Sequence, residues 1–173
     1  MRTLILGGAR SGKSALAERF ARDSEREVVY IATAQAGDAE MAVRIAHHRA
    51  HRPAHWLSVE EPLALAAALH VHTRADRFVL IDCLTLWLSN LLLDTDTRRF
   101  EIERGALLEA LPTLPGEIAF VSNEVGLGIV PLGELSRRFV DEAGRLHQSL
   151  AAHCERVLFV AAGLPLTLKG TPP

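Results

Sequence analysis

The chain is poor in cysteine, with two among 173 residues, and poor in aromatic side chains, with two Trp, one Tyr and six Phe. Cys83 and Cys154 each stand in an apolar stretch with no second cysteine at metal-ligand spacing. That excludes a disulfide framework and predicts buried thiols in a reducing compartment. An excess of one charge is also missing: 19 Lys and Arg face 21 Asp and Glu, a formal net charge of -2, with no basic block. So few rings and no cationic stripe leave neither the stacking platform nor the electrostatic footprint of a nucleic-acid binder, so no nucleic-acid partner is expected. Long apolar runs are absent as well. Leu4, Ile5 and Leu6 make a run too short for a signal sequence, and the richest later stretch is interrupted by Asp82, Ser89 and Asn90. No membrane insertion and a cytoplasmic location are therefore expected. There is no internal repeat and no low-complexity tract.

What remains is a chain of 18.9 kDa with 49% hydrophobic and 23% charged residues, near average globular usage. Its size suits a single domain over residues 1–173. One local excess stands out: four of the eight histidines, His47, His48, His51 and His55, fall close together.

Short apolar runs alternate with longer segments of helical period, which predicts βα units and a mostly parallel sheet. Strands are expected over 3–6, 28–32, 55–59, 78–82, 118–122 and 157–161. Helices are expected over 13–22, 39–51, 62–70, 84–93, 98–111 and 132–154, with Pro62 in a first helical turn. The remainder from 165 onward reads as a tail that frays at its end.

Residues 7–14, Gly7, Gly8, Ala9, Arg10, Ser11, Gly12, Lys13 and Ser14, match G-x-x-x-x-G-K-[ST] between an apolar strand and a helix-period segment. That is the context in which glycines let backbone N–H groups close round phosphate oxygens, while the helix N-terminus adds positive potential. Lys13 then reaches the β/γ-phosphates and Ser14 binds Mg²⁺. A glycine-rich turn that matches by accident is the plain alternative, and the flanking strand and helix argue against it. No G-x-G-x-x-G fingerprint is present, which removes nicotinamide-dependent hydride transfer. Phe78, Val79, Leu80, Ile81 and Asp82 read as a buried strand ending in a carboxylate. Paired with the loop, Asp82 becomes a second candidate for Mg²⁺ or its water, the alternative being a cap on the next helix. The expected fold class is α/β, a P-loop NTPase-like (RecA-like) three-layer fold with a mostly parallel central sheet.

The histidine cluster admits three readings. With Asp38 as a helix cap, Met41, Ile45 and His48 share one face, while Glu40, Arg44, His47 and His51 follow another, so His47 and His48 point different ways. A solvated stripe of mixed charge is the plain reading. Zinc is the second, since His47 and His51 have i, i+4 spacing, although the glutamate of H-E-x-x-H is missing. Nucleophilic catalysis is the third: a neutral imidazole, ordinarily of pKa about 6.5, can attack phosphorus and hold a nucleotidyl group.

Several blocks together resemble one family: GGARSGKS at 7–14, YIAT at 30–33, DAEMAVRIAHH at 38–48, RPAHW at 52–56 and SNEVGLGIVP at 122–131. They are similar to the bifunctional adenosylcobinamide kinase / adenosylcobinamide-phosphate guanylyltransferases of cobalamin biosynthesis, nearly from end to end. The resemblance implies phosphorylation of the cobinamide aminopropanol hydroxyl with ATP or GTP, then transfer of GMP from GTP onto that phosphate. Adenosylcobinamide-GDP and pyrophosphate are the implied products, with adenosylcobinamide and its phosphate as substrates. By the same resemblance His47, the first histidine of the pair, carries the guanylyl group, and the nucleotide contacts are residues 7–14 with Ala32, Thr33, Ala34, Arg49, Ala50, His51, Arg52, Glu60 and Asp82. Relatives also imply a homotrimer. Asn123 and Glu124 are site candidates without an assigned role. Two rivals stand beside this reading: a P-loop kinase of another small alcohol, and a GTP-binding regulatory module, for which the N-K-x-D guanine element is missing.

Overall fold

Apolar strands that are buried on both faces need helices above and below them. The computed structural model describes residues 1–35 and 53–173 and shows that arrangement. The elements in chain order are β1 (Arg2–Gly7), α1 (Lys13–Asp23), β2 (Glu27–Ala32), β3 (Leu57–Glu60), α2 (Leu65–His72), β4 (Arg77–Asp82) and α3 (Leu84–Leu92). They continue with α4 (Arg99–Ala110), a 3₁₀ turn (Leu111–Thr113), β5 (Glu117–Asn123), α5 (Glu134–His153), β6 (Arg156–Ala161) and β7 (Leu164–Lys169). The helix expected over 39–51 lies outside the described residues.

The sheet has the order β3-β2-β4-β5-β1-β6-β7. The first six strands run parallel and β7 runs antiparallel to β6. Side-chain alternation splits the core into two layers. Leu4, Leu6, Val79, Ile81, Ile118 and Phe120 face α2 to α5, packing on Leu65, Trp87, Leu107 and Leu146. Ile5, Tyr30, Leu80, Ala119, Val121 and Leu158 face the other way, onto Leu16, Ala17 and Ala21 of α1. Three layers result, as the alternation predicted.

The register decides what can become a site. Ala32 lies opposite both Glu60 and Asp82, Asp82 opposite Val121, and Gly7 opposite both Asn123 and Val160. The carboxyl ends of six parallel strands therefore reach one edge together, and the loop after β1 leaves from that edge.

Two expectations need correction. The 62–70 helix begins at Leu65, because Glu61 Oε1 accepts the N–H groups of Leu63 and Ala64 at 2.9 and 2.7 Å and closes a turn first. Pro62 thus sits ahead of the helix. The segment after 163 is a strand, not a tail. Ala162 and Gly163 adopt φ 52° and 78°, the left-handed pair of a two-residue hairpin turn, and Ala161 pairs with Leu164. Pro165 is tolerated because β7 is the sheet's last strand.

Both cysteines are free and buried, as expected. Burial raises the thiol pKa of each, that of Cys154 to about 12. Among the described residues no helix is long and apolar enough to cross a membrane. Phe120 is fully buried at the centre of the sheet. Phe120→Ala should cost about 3–5 kcal/mol of stability, seen in urea titration as a lower midpoint with the slope unchanged.

Candidate active site

The turn after β1 is made by backbone that cannot carry side chains at two points. A Cβ on Gly7 would stand 2.5 Å from the Val160 carbonyl and 2.6 Å from Ser11 Oγ. Gly12, the residue before α1, has φ 98°, and a Cβ there would come within 3.1 Å of Gly163 Cα. Gly163 in turn donates its N–H to Ser11 O at 2.8 Å, so the β6–β7 hairpin props the loop from outside. Inside the loop Ser11 N–H donates to Gly8 O at 3.3 Å.

No side chain caps the N-terminus of α1, whose first-turn N–H groups carry the positive end of the helix dipole. Lys13, 8% exposed, lays its ammonium on Gly8 O at 3.2 Å. Ser11 Oγ is buried without a hydrogen-bond partner among the described residues. An orphan hydroxyl, a buried ammonium and uncapped N–H groups form a concavity for an anion of several oxygens, and phosphate fits it.

Asp82 ends β4, two strands from β1 with β5 between. Its Oδ2 accepts the Tyr30 hydroxyl at 2.9 Å, a contact across the β2–β4 pair that fixes the carboxylate at the edge. No described side chain makes it a helix cap: the residue before α3 is Cys83, without a side-chain capping bond. Ser14 is the second residue of α1. Among the described residues no group of three or more His, Cys, Asp or Glu is placed to hold a metal.

The register brings Ala32 and Glu60 to the same edge as Asp82. Thr33 is there too but already committed. It is fully buried, its hydroxyl donates to Cys83 O at 2.7 Å and accepts the Cys83 N–H at 3.0 Å, and its carbonyl takes the Asn90 amide at 2.8 Å. Thr33 therefore anchors the start of α3 against the end of β2. Ala34 follows it, half-buried. His47, Arg49, Ala50, His51 and Arg52 lie outside the described residues.

A polar chain that sequence reasoning missed runs through the other face of the same edge. Asn123 N–H donates to Thr85 Oγ1 at 2.8 Å, Thr85 Oγ1 is 3.5 Å from Ser122 Oγ, and Ser122 Oγ is 2.8 Å from His147 Nε2. His147 Nδ1 faces Glu124 Oε2 at 3.6 Å and is buried without a hydrogen-bond partner among the described residues. Burial lowers the His147 pKa, the neighbouring Glu124 opposing it. Of the members of this polar chain the sequence offered only Asn123 and Glu124, in the block at 122–131, as candidates without a role.

Two substitutions test this geometry. Gly7→Ala is expected to abolish nucleotide binding measured by calorimetry, since the added carbon displaces either the loop or β6. Thr33→Val keeps the shape but strands the buried Cys83 N–H, and should lower stability by about 1–3 kcal/mol in denaturant titration.

Comparison with known proteins extends this picture over the whole chain. Residues 3–168 match the family described as cobinamide kinase / cobinamide phosphate guanyltransferase. The bifunctional adenosylcobalamin biosynthesis protein CobP of Pseudomonas aeruginosa is 67% identical over 172 residues, 99% of each chain. The protein named CobU of Escherichia coli, with the same bifunctional description, is 41% identical over 182 aligned positions, 98% of this chain and 100% of its own. Among solved structures, flagellar accessory protein FlaH from Methanocaldococcus jannaschii aligns with TM-score 0.53 at 13% identity, over 98% of this chain and 78% of its own. The RadB recombinase aligns with TM-score 0.53 at 16% identity, over 91% and 73%. Those two likenesses concern the fold alone and agree with the expected α/β, P-loop NTPase-like fold class. The family match and the close relatives decide membership: this chain belongs to the cobinamide kinase / cobinamide phosphate guanyltransferase family.

Proposed function

We propose that this chain, as one domain over residues 1–173, phosphorylates the aminopropanol hydroxyl of adenosylcobinamide with ATP or GTP. It then transfers GMP from GTP through a guanylyl-histidine to adenosylcobinamide phosphate, giving adenosylcobinamide-GDP and pyrophosphate. The observation that carries this reading is the 67% identity, over 99% of each chain, to a protein named as bifunctional in adenosylcobalamin biosynthesis. The phosphate-type loop at 7–14, with the buried Lys13 ammonium on Gly8 O, supports it from the geometry.

In this reading the triphosphate lies along Gly7, Gly8, Ala9, Arg10, Ser11 and Gly12, with Lys13 on its charge. Ala32, Thr33, Ala34, Glu60, Arg49, Ala50, His51 and Arg52 complete the nucleotide contacts. Ser14 and Asp82 are the residues to hold Mg²⁺, a hydroxyl and a carboxylate being the hard oxygen donors that ion takes alongside phosphate and water. When bound, Mg²⁺ neutralises charge on the phosphate oxygens. In the kinase step the substrate hydroxyl attacks the γ-phosphorus, its proton leaves, and the nucleoside diphosphate departs. In the guanylyl step the imidazole of His47 attacks the α-phosphorus, a P–N bond forms and pyrophosphate leaves, Lys13 and the loop N–H groups stabilising its charge. A phosphate oxygen of adenosylcobinamide phosphate then displaces GMP from His47.

The reading includes a homo-oligomer and a cytoplasmic location. Leu164, Leu166 and Leu168 stand exposed along one side of β7, which supports the first.

Incubation with GTP labelled at the α- or the γ-phosphorus tests the central claim. Acid-labile covalent label is expected from α-labelled GTP alone on the native chain, and none on His47→Asn. Absence of α-label on the native chain would overturn the guanylyltransferase reading.

A further inference from the structure

Glu124 has a position that neither the nucleotide contacts nor His47 accounts for. It follows β5, the strand lying between the loop strand β1 and the Asp82 strand β4. Its N–H donates to Gly7 O at 3.0 Å, so its backbone is joined to the first residue of the phosphate loop. In strand order it is the carboxylate nearest that loop among the described residues at this edge, with Asp82 one strand and Glu60 three strands beyond β5. On its other side the chain enters a cleft of about 120 Å³ lined by Val125, Gly126, Ile129, Val130, Val140 and Asp141, among others. Glu124 thus stands between the place for phosphates and a space open to an acceptor.

The carboxylate is held rather than loose. Oε1 accepts the Gly126 N–H at 2.6 Å, and Oε2 faces the His147 ring. The carboxylate assigns the protons in that ring: an N–H on Nδ1 is the form that suits Glu124 Oε2, so the neutral imidazole accepts at Nε2, from the Ser122 hydroxyl. At 3.6 Å the contact from Nδ1 to Glu124 is short of a hydrogen bond, and closing it would satisfy a buried nitrogen that has no partner among the described residues.

We propose that Glu124 accepts the proton of the substrate hydroxyl in the kinase step, and that His147, through Nδ1, positions it. This rests on the reading of the chain as a kinase that binds triphosphate at residues 7–14. In the step, the hydroxyl oxygen forms its bond to the γ-phosphorus, the bond from that phosphorus to the β,γ-bridging oxygen breaks, and the hydroxyl proton moves to a Glu124 carboxylate oxygen. The nucleoside diphosphate carries away the electron pair of the broken bond. Guanylylation of His47 uses no hydroxyl acceptor and makes no call on Glu124.

The test compares two reactions of one protein: phosphoryl transfer from γ-labelled ATP or GTP to adenosylcobinamide, and self-labelling by α-labelled GTP. Glu124→Gln is expected to lower kinase kcat by about 10²- to 10⁴-fold with KM for the corrinoid changed by no more than about threefold, while self-labelling persists. Glu124→Asp, which keeps an acceptor, should recover at least about tenfold of that loss. A Gln variant with kcat within about threefold of native overturns the assignment, and so does an equal loss of both reactions, the mark of a merely structural residue. His147→Asn, whose amide N–H can stand in for Nδ1, should keep about tenfold more kinase kcat than His147→Leu, and equal values overturn the positioning role. Failure of the native chain to self-label tells against the function reading itself and is separable from all of these.

Discussion

At position 7 one added carbon would meet the Val160 carbonyl at 2.5 Å, so the turn leaving β1 is built directly against β6. Everything at the site depends on that close approach. The same turn is held from outside by the Gly163 N–H on Ser11 O, and Gly12 leaves space for Gly163 that a side chain would take. The β6–β7 hairpin is therefore part of the loop's support, although none of its residues belongs to the phosphate motif. With the backbone committed in this way, loop N–H groups need no reorganisation to meet an anion, which is what makes such a cradle effective.

The second constraint is register. Six parallel strands end together, so Glu60, Ala32, Asp82, Asn123 and Gly7 come to one edge without any contact between them being required. A slip of one residue in β4 would exchange its two faces, moving Val79 and Ile81 out of one core layer and Leu80 out of the other. Burial on both sides of the sheet thus fixes the place of Asp82 more firmly than any bond made by Asp82 itself.

Five of the six parallel strands were legible because doubly buried strands read as short apolar runs, β3 being an exposed edge strand, and the phosphate loop because its residues are contiguous. β7 was not. Its turn is Ala162-Gly163 instead of a recognisable Asn-Gly or Asp-Gly, and Pro165 argued against a strand that proves to be the sheet's last. The start of α2 was displaced by a side-chain capture, Glu61 on two backbone N–H groups, that periodicity does not register. Thr33 was read as a nucleotide contact, and its structural role was not legible, since only the fold shows its hydroxyl used up by Cys83. The Ser122–His147 contact joins residues 25 apart on a strand and a helix, and nothing local to either residue announces it.

Asp82 and Glu124, at one edge, suit two reactions that make different demands on protons. On the proposed reading, an alcohol must lose a proton as it attacks the γ-phosphorus, whereas the acceptor in guanylyl transfer is a phosphate oxygen already anionic near neutral pH, its second pKa being about 6. Charge on the triphosphate is common to both steps, and on this reading it is met by Lys13 on the loop and by Asp82, two strands away at the same edge. The need for a proton acceptor belongs to the first step alone. Glu124 is tied by its backbone to Gly7 and by its chain to the neighbouring cleft, a location on the acceptor side of the phosphates. A single loop can then serve both chemistries, with the proton handled by a residue that only the alcohol needs.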